Sequence, residues 1–483
     1  MMIFFNQFSG ENIHFFLCNK RVYNMRNLYP IAVCSLIVSA LTITSALAEV
    51  KYTDQVKLHQ IAEQVSADNI EKDIRKLVGF GTRHTLSETQ SESRGIGAAR
   101  RWIKSEFEAI SKACGECLEV YFQRDVISGE KRIPEPTEVV SVIAILKGKT
   151  DDNRYVIMSG DIDSRVSDPM NATSDSPGAN DNASGVAGVL EAARVLSKHE
   201  FNGSIVFAAL AGEEQGLFGG KIMAKQAQKD GWRIKAVLNN DMIGNIEGIN
   251  GVINNTTARI FAEGTRQKET QKQATKRRFT GGEVDSPTRN LARYIDWMAD
   301  RYIPNLDTMM VYRLDRFGRG GHHRPFNDLG YPAVRIMETN ENYNRQHQDL
   351  RTENGVNYGD TIDGINFNYA AKLTALNAVS LAGMAWAPNP PVNVEISGAV
   401  QPSTKLAWAK ANKNEKSIIA GYKIYWRLTD ASQWQNSRFV GNVTEYTLEN
   451  IVIDNYFFGV VSVSKDGFES PVVFPGDAGS FGN

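Results

Sequence analysis

Acidic residues and one histidine gather in five short segments of the chain, and their residue types could bind a metal ion. The candidate ligands and proton carriers in these segments are Asp161 and Asp163, Asp181, Glu213 and Glu214, Asp241, and His347. Carboxylates combined with imidazole suit zinc, while cobalt and manganese are the alternatives. The sequence therefore offers the donor set of a divalent metal site.

Each segment alone also has a purely structural interpretation. Asp161 and Asp163 could be turn residues, and Asp181 could cap the helix that follows it. The pair Glu213-Glu214 could be solvated, and a single histidine is often a surface or core residue. The joint pattern favours a metal, because like charges that meet in a partly dry site repel strongly and a cation neutralises them. Two adjacent glutamates could then divide metal binding and proton transfer between them.

The elements that would bring these segments together are buried strands. Apolar runs predict strands at residues 139–146, 155–158, 204–210, 236–238 and 332–336. Helical periodicity predicts helices at residues 56–77, 91–111, 185–197 and 220–230. This alternation predicts an α/β domain whose mostly parallel mixed sheet is sandwiched by helices. The acidic segments come at or soon after strand ends, the edge where ligands bind in such sheets.

Three motifs, in this order, resemble those of the M28 family of zinc aminopeptidases. They are Pro-Gly-Ala-Asn-Asp-Asn-Ala-Ser-Gly at residues 177–185, Glu-Glu-Gln-Gly-Leu-Phe-Gly at 213–219, and Asn-Asn-Asp-Met-Ile-Gly at 239–244. The resemblance spans roughly residues 139–381. It implies a metallo-aminopeptidase that binds two zinc ions per chain and hydrolyses N-terminal residues from peptides.

The resemblance also implies a role for each residue. Asp181 would bridge both zinc ions, Glu214 and His347 would complete one metal site, and Asp241 would belong to the other. Glu213 would be the general base, which takes a proton from the bridging water and passes it to the leaving amine.

Asp161 departs from the family pattern, which has histidine there within a His-x-Asp motif. Aspartate can still bind zinc through oxygen, so we expect Asp161 to be a ligand. Its extra negative charge would move the metal preference toward harder ions such as manganese. A site that holds a single metal ion is the alternative. Asp163, the second acid of the motif, matches a carboxylate that orients the first ligand.

Residues 322–326 resemble the family's Asp-His-x-Pro-Phe segment, with His322 in the aspartate position. We expect His323 either to donate a hydrogen bond on the substrate side or to pack beneath the site. Arg316 and Arg319 precede it in a glycine-rich stretch and could hold a carboxylate or carbonyl group of the substrate.

Two other functions fit parts of the pattern. One is a one-metal cyclase of N-terminal glutamine, which the family resemblance allows; the Glu213-Glu214 pair and the presence of both Asp181 and Asp241 argue against it. The other is a metal-binding adhesive protein whose catalysis has decayed. Asp161 is its main support, and the retained base Glu213 argues against it.

The C-terminal region has a different character. Residues 387–391, Ala-Pro-Asn-Pro-Pro, predict a stiff linker after a metallopeptidase domain at 49–386. Strand-like runs without helical periodicity then predict a small all-β sandwich at 392–475, followed by a tail at 476–483. The runs at 406–408, 421–426 and 456–460 resemble strands of a fibronectin type III domain, a module that serves as a spacer or binds a surface or polymer.

The N-terminal region predicts export. A nearly uncharged run at residues 27–47 follows Arg26 and ends in Ala46-Leu47-Ala48, the small-x-small pattern of a cleavage site. We expect residues 1–48 to be a signal peptide with the true start at Met25, and the mature protein to be secreted or periplasmic, with no stable membrane span. An uncleaved anchor helix is the alternative. In the oxidising compartment that export predicts, Cys114 and Cys117 would form a local disulfide.

The overall charge argues against one class of partner. The chain has 483 residues, with 54 basic and 55 acidic side chains and a formal net charge of -1. This balance gives no reason to expect nucleic acid as a partner. The resemblance to the M28 family implies that the partners are peptides with a free N-terminus. The polar stretch 245–321, which includes a basic patch, predicts a long excursion off the sheet.

Overall fold

The computed structural model describes residues 55–410 and 418–476 of the chain. The predicted signal peptide, and all but the first residue of the predicted tail, lie outside the described residues. Within the described part, no helix combines the length and the apolar character needed to cross a bilayer.

One mixed sheet of eight strands forms the centre of the larger domain. Its strands are β1 (Leu118–Ile127), β2 (Thr137–Leu146), β3 (Asp151–Asp161), β4 (Gly203–Leu210), β5 (Arg233–Asn240), β6 (Thr257–Phe261), β7 (Asp307–Val311) and β8 (Ala333–Glu338). Their order across the sheet is β1-β2-β4-β3-β5-β8-β6-β7. The four central strands run parallel, while β1 pairs antiparallel with β2, β2 with β4, and β6 with β8. The predicted fold class is confirmed.

The five predicted strands correspond to β2, β3, β4, β5 and β8. Strands β6 and β7 lie within residues 245–321, and they belong to the sheet. The predicted excursion off the sheet is therefore wrong for these strands. Both are five residues long and carry polar or charged side chains, so neither forms the long apolar run that marks a buried strand.

Ten α-helices surround the sheet or join its strands in the described part of the chain. They are α1 (Val56–Glu63), α2 (Ala67–Val78), α3 (Gly95–Ala113), α4 (Gly185–Leu196), α5 (Glu213–Gly216), α6 (Phe218–Lys229), α7 (Gln271–Thr280), α8 (Pro287–Tyr302), α9 (His323–Asp328) and α10 (Phe367–Trp386). The predicted helix at 56–77 is two helices, α1 and α2. Ser66 is the N-cap of α2, because its side chain accepts a hydrogen bond from the backbone N–H of Asn69.

Both faces of the sheet are buried against helices. Val156 and Met158 of β3 lie in the core that includes residues of α4 and α10, while Ile157 lies in a second core with residues of α6. Successive residues of a strand point to opposite faces, so a continuous apolar run fills both cores. Full burial of a large aliphatic side chain stabilises the fold by roughly 1.5–3 kcal/mol. The ends of these strands are therefore held on a rigid support.

Cys114 and Cys117 are joined in a disulfide, as the sequence predicted. The disulfide spans the turn between the end of α3 and the start of β1. Such bonds persist in oxidising compartments.

The C-terminal region is a small all-β sandwich. After a short hairpin of β9 (Arg351–Glu353) and β10 (Val356–Tyr358), its strands are β11 (Val392–Ser397), β12 (Thr404–Ala409), β13 (Ile419–Leu428), β14 (Asn436–Gly441), β15 (Glu445–Leu448) and β16 (Tyr456–Ser464). They form two sheets, β11-β12-β15 and β14-β13-β16. Leu406 and Trp408 from the first sheet share a core with Ile424 and Phe458 from the second. The relation to fibronectin type III domains stays a prediction.

A buried charge cluster fixes the sandwich to the larger domain. Asp285, just before α8, is fully buried and contacts Arg293 of α8 at 2.9 Å and Arg427 of β13 at 2.7 Å. Residues 387–391, predicted as a linker, are also buried. The sandwich is therefore packed against the larger domain through specific polar contacts.

We expect the substitution Arg427→Leu to lower the free energy of unfolding by about 3 kcal/mol, because the buried Asp285 carboxylate loses one of its two cationic partners. Chemical denaturation followed by tryptophan fluorescence measures this change. The matched control is Arg438→Leu on the exposed side of β14, which should change stability by less than about 0.5 kcal/mol. Equal stability of both variants would show that the cluster does not fix the interface.

Candidate metal centre

The predicted site residues lie at the carboxyl-terminal edge of the central parallel strands. Asp161 is the last residue of β3, Glu213 begins α5 shortly after β4, and Asp241 directly follows β5. Because the sheet order places β3 between β4 and β5, their parallel pairing brings these acidic residues to one edge.

Asp181, Glu214 and His347 form a group of three metal-binding side chains, which we call the ligand cluster. One ligand atom from each residue lies within 4.8 Å of the other two. His347 Nε2 lies 2.9 Å from Asp181 Oδ2 and 2.9 Å from Glu214 Oε1. Within residues 55–410 and 418–476, no other group of three His, Cys, Asp or Glu side chains meets this criterion. The structure thus brings together three predicted ligands from distant segments.

Neighbouring side chains hold the ligand cluster in place. The carboxylate of Asp360 accepts the backbone N–H of Asp181 at 2.7 Å. Arg165 donates from Nε to Glu214 Oε2 at 2.7 Å, and its Nη2 lies 2.6 Å from His347 Nδ1. Supporting contacts of this kind fix the orientation of ligands before a metal binds.

Asp163 organises the start of α5. Its two carboxylate oxygens accept the backbone N–H groups of Glu213 at 3.1 Å and Glu214 at 2.9 Å. Asp163 therefore acts on the backbone of the glutamate pair. The sequence predicted an orienting role for Asp163, with Asp161 as the oriented ligand.

Asp161 and Asp241 lie beside the ligand cluster but have internal partners. Asp161 accepts a hydrogen bond from Asn182 Nδ2 at 2.8 Å, and its other oxygen lies 2.6 Å from His322 Nδ1. Asp241 Oδ2 pairs with Arg335 at 2.7 Å, while its Oδ1 is buried without a hydrogen-bond partner. A buried oxygen without a partner marks a position where a cation or water belongs.

The site holds an excess of buried acidic groups. Burial raises the pKa of Asp161 and of Asp241 to about 8. Burial and then the charge of Glu214 raise the pKa of Glu213 well above its ordinary value. The carboxylates thus crowd one another in a region with little water, and a divalent cation would relieve this crowding. Oxygen donors and one imidazole are a donor set that fits zinc.

Comparison with known proteins places the chain in a family. The family model described as peptidase family M28 matches residues 141–366. A probable zinc metalloprotease of Leptosphaeria maculans is 42% identical over 427 residues, which cover 88% of this chain and 98% of that protein. The chain belongs to peptidase family M28. A probable zinc metalloprotease of Pyrenophora teres is 42% identical over 87% of this chain and 86% of its own length. The predicted family is confirmed, and this M28 peptidase is a hydrolase of peptide bonds.

Solved structures agree with the fold of this M28 peptidase. The LapA aminopeptidase of Legionella pneumophila superposes with a TM-score of 0.52 at 19% identity, over 76% of this chain and 81% of that chain. A second structure of LapA gives a TM-score of 0.51 at 20% identity, over 70% and 79% of the two chains. At this level of identity the likeness shows the shared fold alone.

Asp161 and His322 both differ from the family motifs described in the sequence analysis, and their side chains contact each other. The pattern has histidine at the first position and aspartate at the second, whereas this chain has the reverse. Their 2.6 Å contact preserves one imidazole and one carboxylate at this edge of the sheet, in exchanged positions. The orientation of the Asp161 carboxylate is therefore fixed by Asn182 and His322, and its role as a ligand stays a prediction.

His323 and Arg319 have different surroundings. His323 has no exposed surface, and its Nε2 lies 2.9 Å from the carbonyl oxygen of Leu314. The structure therefore favours the packed alternative and contradicts a substrate-side role for this side chain. Arg319 is exposed and lines the pocket of the site.

A pocket of about 440 Å³ opens at the ligand cluster. Asp181, Glu213, Glu214, Asp241 and His347 all line it, whereas Asp161 and Asp163 do not. A substrate in this pocket would therefore reach Glu213 and the ligand cluster together.

Sequence reasoning missed three residues of the site: Arg165, Arg335 and Asp360. Arg335 carried a usable signal, because a charged residue within the apolar run of β8 needs a buried partner. Arg165 and Asp360 lie in ordinary polar stretches, and their partners are far away along the chain.

We expect the substitution Asp163→Asn to lower kcat/KM about 10- to 100-fold, because the amide has one acceptor oxygen for the two N–H groups of α5. Steady-state kinetics and the zinc retained after dialysis measure the effect. Asp175→Asn, at an exposed position, is the matched control and should behave as wild type. Wild-type kinetics for Asp163→Asn would contradict its orienting role.

Proposed function

We propose that the chain is a zinc-dependent exopeptidase that removes N-terminal residues from peptides, with Glu213 as the general base. The observation that carries this proposal is the ligand cluster, which lines the same pocket as Glu213. The similarity to probable zinc metalloproteases supports zinc as the metal.

Two zinc ions per chain are part of the proposal. Asp181, Glu214 and His347 would hold the first, while Asp161 and Asp241 would hold the second, with Asp181 shared. The unpartnered Oδ1 of Asp241 supports the second ion. Arg335 has no exposed surface and supplies a positive charge that partly offsets these carboxylates. When bound, zinc polarises the scissile carbonyl and lowers the pKa of a water molecule.

Glu213 would move the proton during hydrolysis. Both carboxylate oxygens of its neighbour Glu214 contact other side chains, one His347 and the other Arg165. Glu213 is therefore the glutamate available for proton transfer. It would accept the proton of the attacking water and then deliver it to the leaving amine. Its backbone N–H is bound by Asp163, which holds the base at one position over the pocket.

Export to the periplasm or the extracellular space is also proposed. The observation in its support is the disulfide between Cys114 and Cys117, because such bonds are rare in reducing compartments. Fractionation of cells that express the full chain would test it, with mass spectrometry of the N-terminus of the exported protein.

Hydrolysis of a panel of aminoacyl-p-nitroanilides tests the proposed function. Purified protein should release nitroaniline, a chelator should stop the release, and added zinc or manganese should restore it. Metal analysis should give two ions per chain, and a single tightly bound ion would contradict the dinuclear site. Cyclisation of a peptide that begins with glutamine, without loss of a residue, would instead favour a glutaminyl cyclase.

A further inference from the structure

We propose that a group of cationic side chains at the pocket of the site selects substrates in which the residue before the scissile bond has a carboxylate side chain. The group, which we call the cationic rim, consists of Lys131, Arg132, Arg319 and Arg324. This inference rests on the exopeptidase function proposed above and assigns its substrate class: peptides with an acidic N-terminal residue.

The cationic rim lacks acidic partners within the protein. None of its four side chains forms an ion pair with a residue of the described part of the chain. Arg132 donates to the backbone oxygen of Glu214, a neutral acceptor. The other two pocket-lining arginines differ, because Arg165 pairs with Glu214 and Arg316 pairs with Glu341 at 2.8 Å.

The acidic side chains of the pocket do not neutralise the cationic rim. Four of the five acids that line the pocket belong to the metal centre and its base, and Glu130 is the fifth. A bound metal would neutralise the carboxylates that ligate it. Apart from the metal centre and its base Glu213, the pocket carries four unpaired cations and one acid, so an anionic group is the complementary substrate feature.

The pocket also lacks an apolar wall. Leu217 is the one large apolar side chain among its lining residues, and Gly216, Gly318 and Gly320 contribute backbone alone. Pockets that bind apolar side chains are lined mainly by apolar and aromatic residues. An N-terminal leucine or phenylalanine would therefore find little surface to contact, whereas a carboxylate would find donors.

Two separate segments supply the cationic rim. Lys131 and Arg132 lie in the connection between β1 and β2. Arg319 lies in the connection between β7 and α9, and Arg324 is the second residue of α9. Arginine binds carboxylates through paired, charge-assisted hydrogen bonds, which discriminate strongly against a neutral isostere. Glutamate and glutamine have nearly the same shape, so they isolate the contribution of charge.

The first arm of the test compares hydrolysis of glutamyl-p-nitroanilide and glutaminyl-p-nitroanilide. We expect kcat/KM to be at least about tenfold higher for the glutamyl substrate. The double variant Arg319→Gln, Arg324→Gln should lose this preference by lowering the value for the glutamyl substrate alone. Arg313→Gln, an exposed arginine of the same segment that does not line the pocket, is the matched control.

The second arm measures binding without turnover. Calorimetry with the zinc-loaded Glu213→Gln variant compares Glu-Ala-Ala-amide with Gln-Ala-Ala-amide, and Ala-Ala-Ala with its C-terminal amide. Tighter binding of the first peptide assigns the carboxylate to an N-terminal acidic side chain, the expected result. A preference confined to the free C-terminus would overturn that assignment and place a terminal carboxylate at the rim.

The two arms separate the possible failures. Absence of hydrolysis for every substrate, with tighter binding of the acidic peptide retained, would overturn the proposed function and leave the cationic rim supported. Equal values for the glutamyl and glutaminyl ligands in both arms would overturn the inference about the rim. An unchanged preference in the double variant would do the same.

Discussion

Replacement of Glu213 by glutamine is expected to lower kcat about 10²- to 10⁴-fold while the protein keeps its zinc. The amide cannot accept a proton from water, but it has nearly the same shape as the carboxylate. The side chain of Glu213 is not part of the ligand cluster, so the contacts among Asp181, Glu214 and His347 should persist. Steady-state kinetics together with metal analysis of the same sample measures both effects.

A matched control separates loss of the base from a general loss of negative charge. Glu63→Gln, at the exposed end of α1, makes the same chemical change away from the pocket and should keep wild-type kinetics. Full activity of Glu213→Gln would remove Glu213 from the mechanism. Loss of zinc from that variant would instead make Glu213 a ligand.

The substitution His347→Ala is expected to remove both metal binding and activity. His347 Nε2 contacts both carboxylates of the ligand cluster, so its loss removes one of the three donors that would hold the metal. We expect kcat/KM to fall by at least about 100-fold and zinc to be lost on dialysis. Addition of zinc after chelation should restore the wild type and leave the variant inactive.

His199→Ala is the control for this experiment. His199 precedes β4, at the end of that strand opposite to the metal centre, so its loss should leave zinc content unchanged. Retention of stoichiometric zinc by His347→Ala would contradict the assignment of His347 as a ligand. Circular dichroism of both variants would verify that they remain folded.

The sheet edge could be predicted from the sequence because its determinants are local. The five buried strands are apolar runs, and the acidic segments follow strand ends, so their convergence follows from parallel pairing. The ligand cluster draws its three residues from segments that the sequence singled out. By contrast, β6 and β7 are short and partly polar, and they become strands because their neighbours in the sheet pair with them.

The supporting contacts could not be predicted because they are tertiary. Arg165 and His347 are 182 positions apart, and Asp360 lies 179 positions from Asp181, so no spacing rule connects them. For His323, the sequence suggested a contact that the structure does not have. Its motif position suggested a substrate contact, but the fold encloses the ring and binds it to a backbone carbonyl.

The departure at Asp161 acquires a physical meaning in the structure. Considered alone, aspartate in place of histidine looked like a change in metal preference or a loss of function. His322, the second departure, lies in contact with Asp161, so the exchanged imidazole and carboxylate are adjacent. One imidazole and one carboxylate are therefore present together at this edge of the sheet.

Anomalous scattering at the zinc edge, from a crystal grown with zinc, tests the metal centre most directly. We predict a strong peak within coordinating distance of Asp181, Glu214 and His347, and a second peak beside the free oxygen of Asp241. Absence of density between the first three side chains, at zinc concentrations that fill other sites in the crystal, would contradict the metal centre described above.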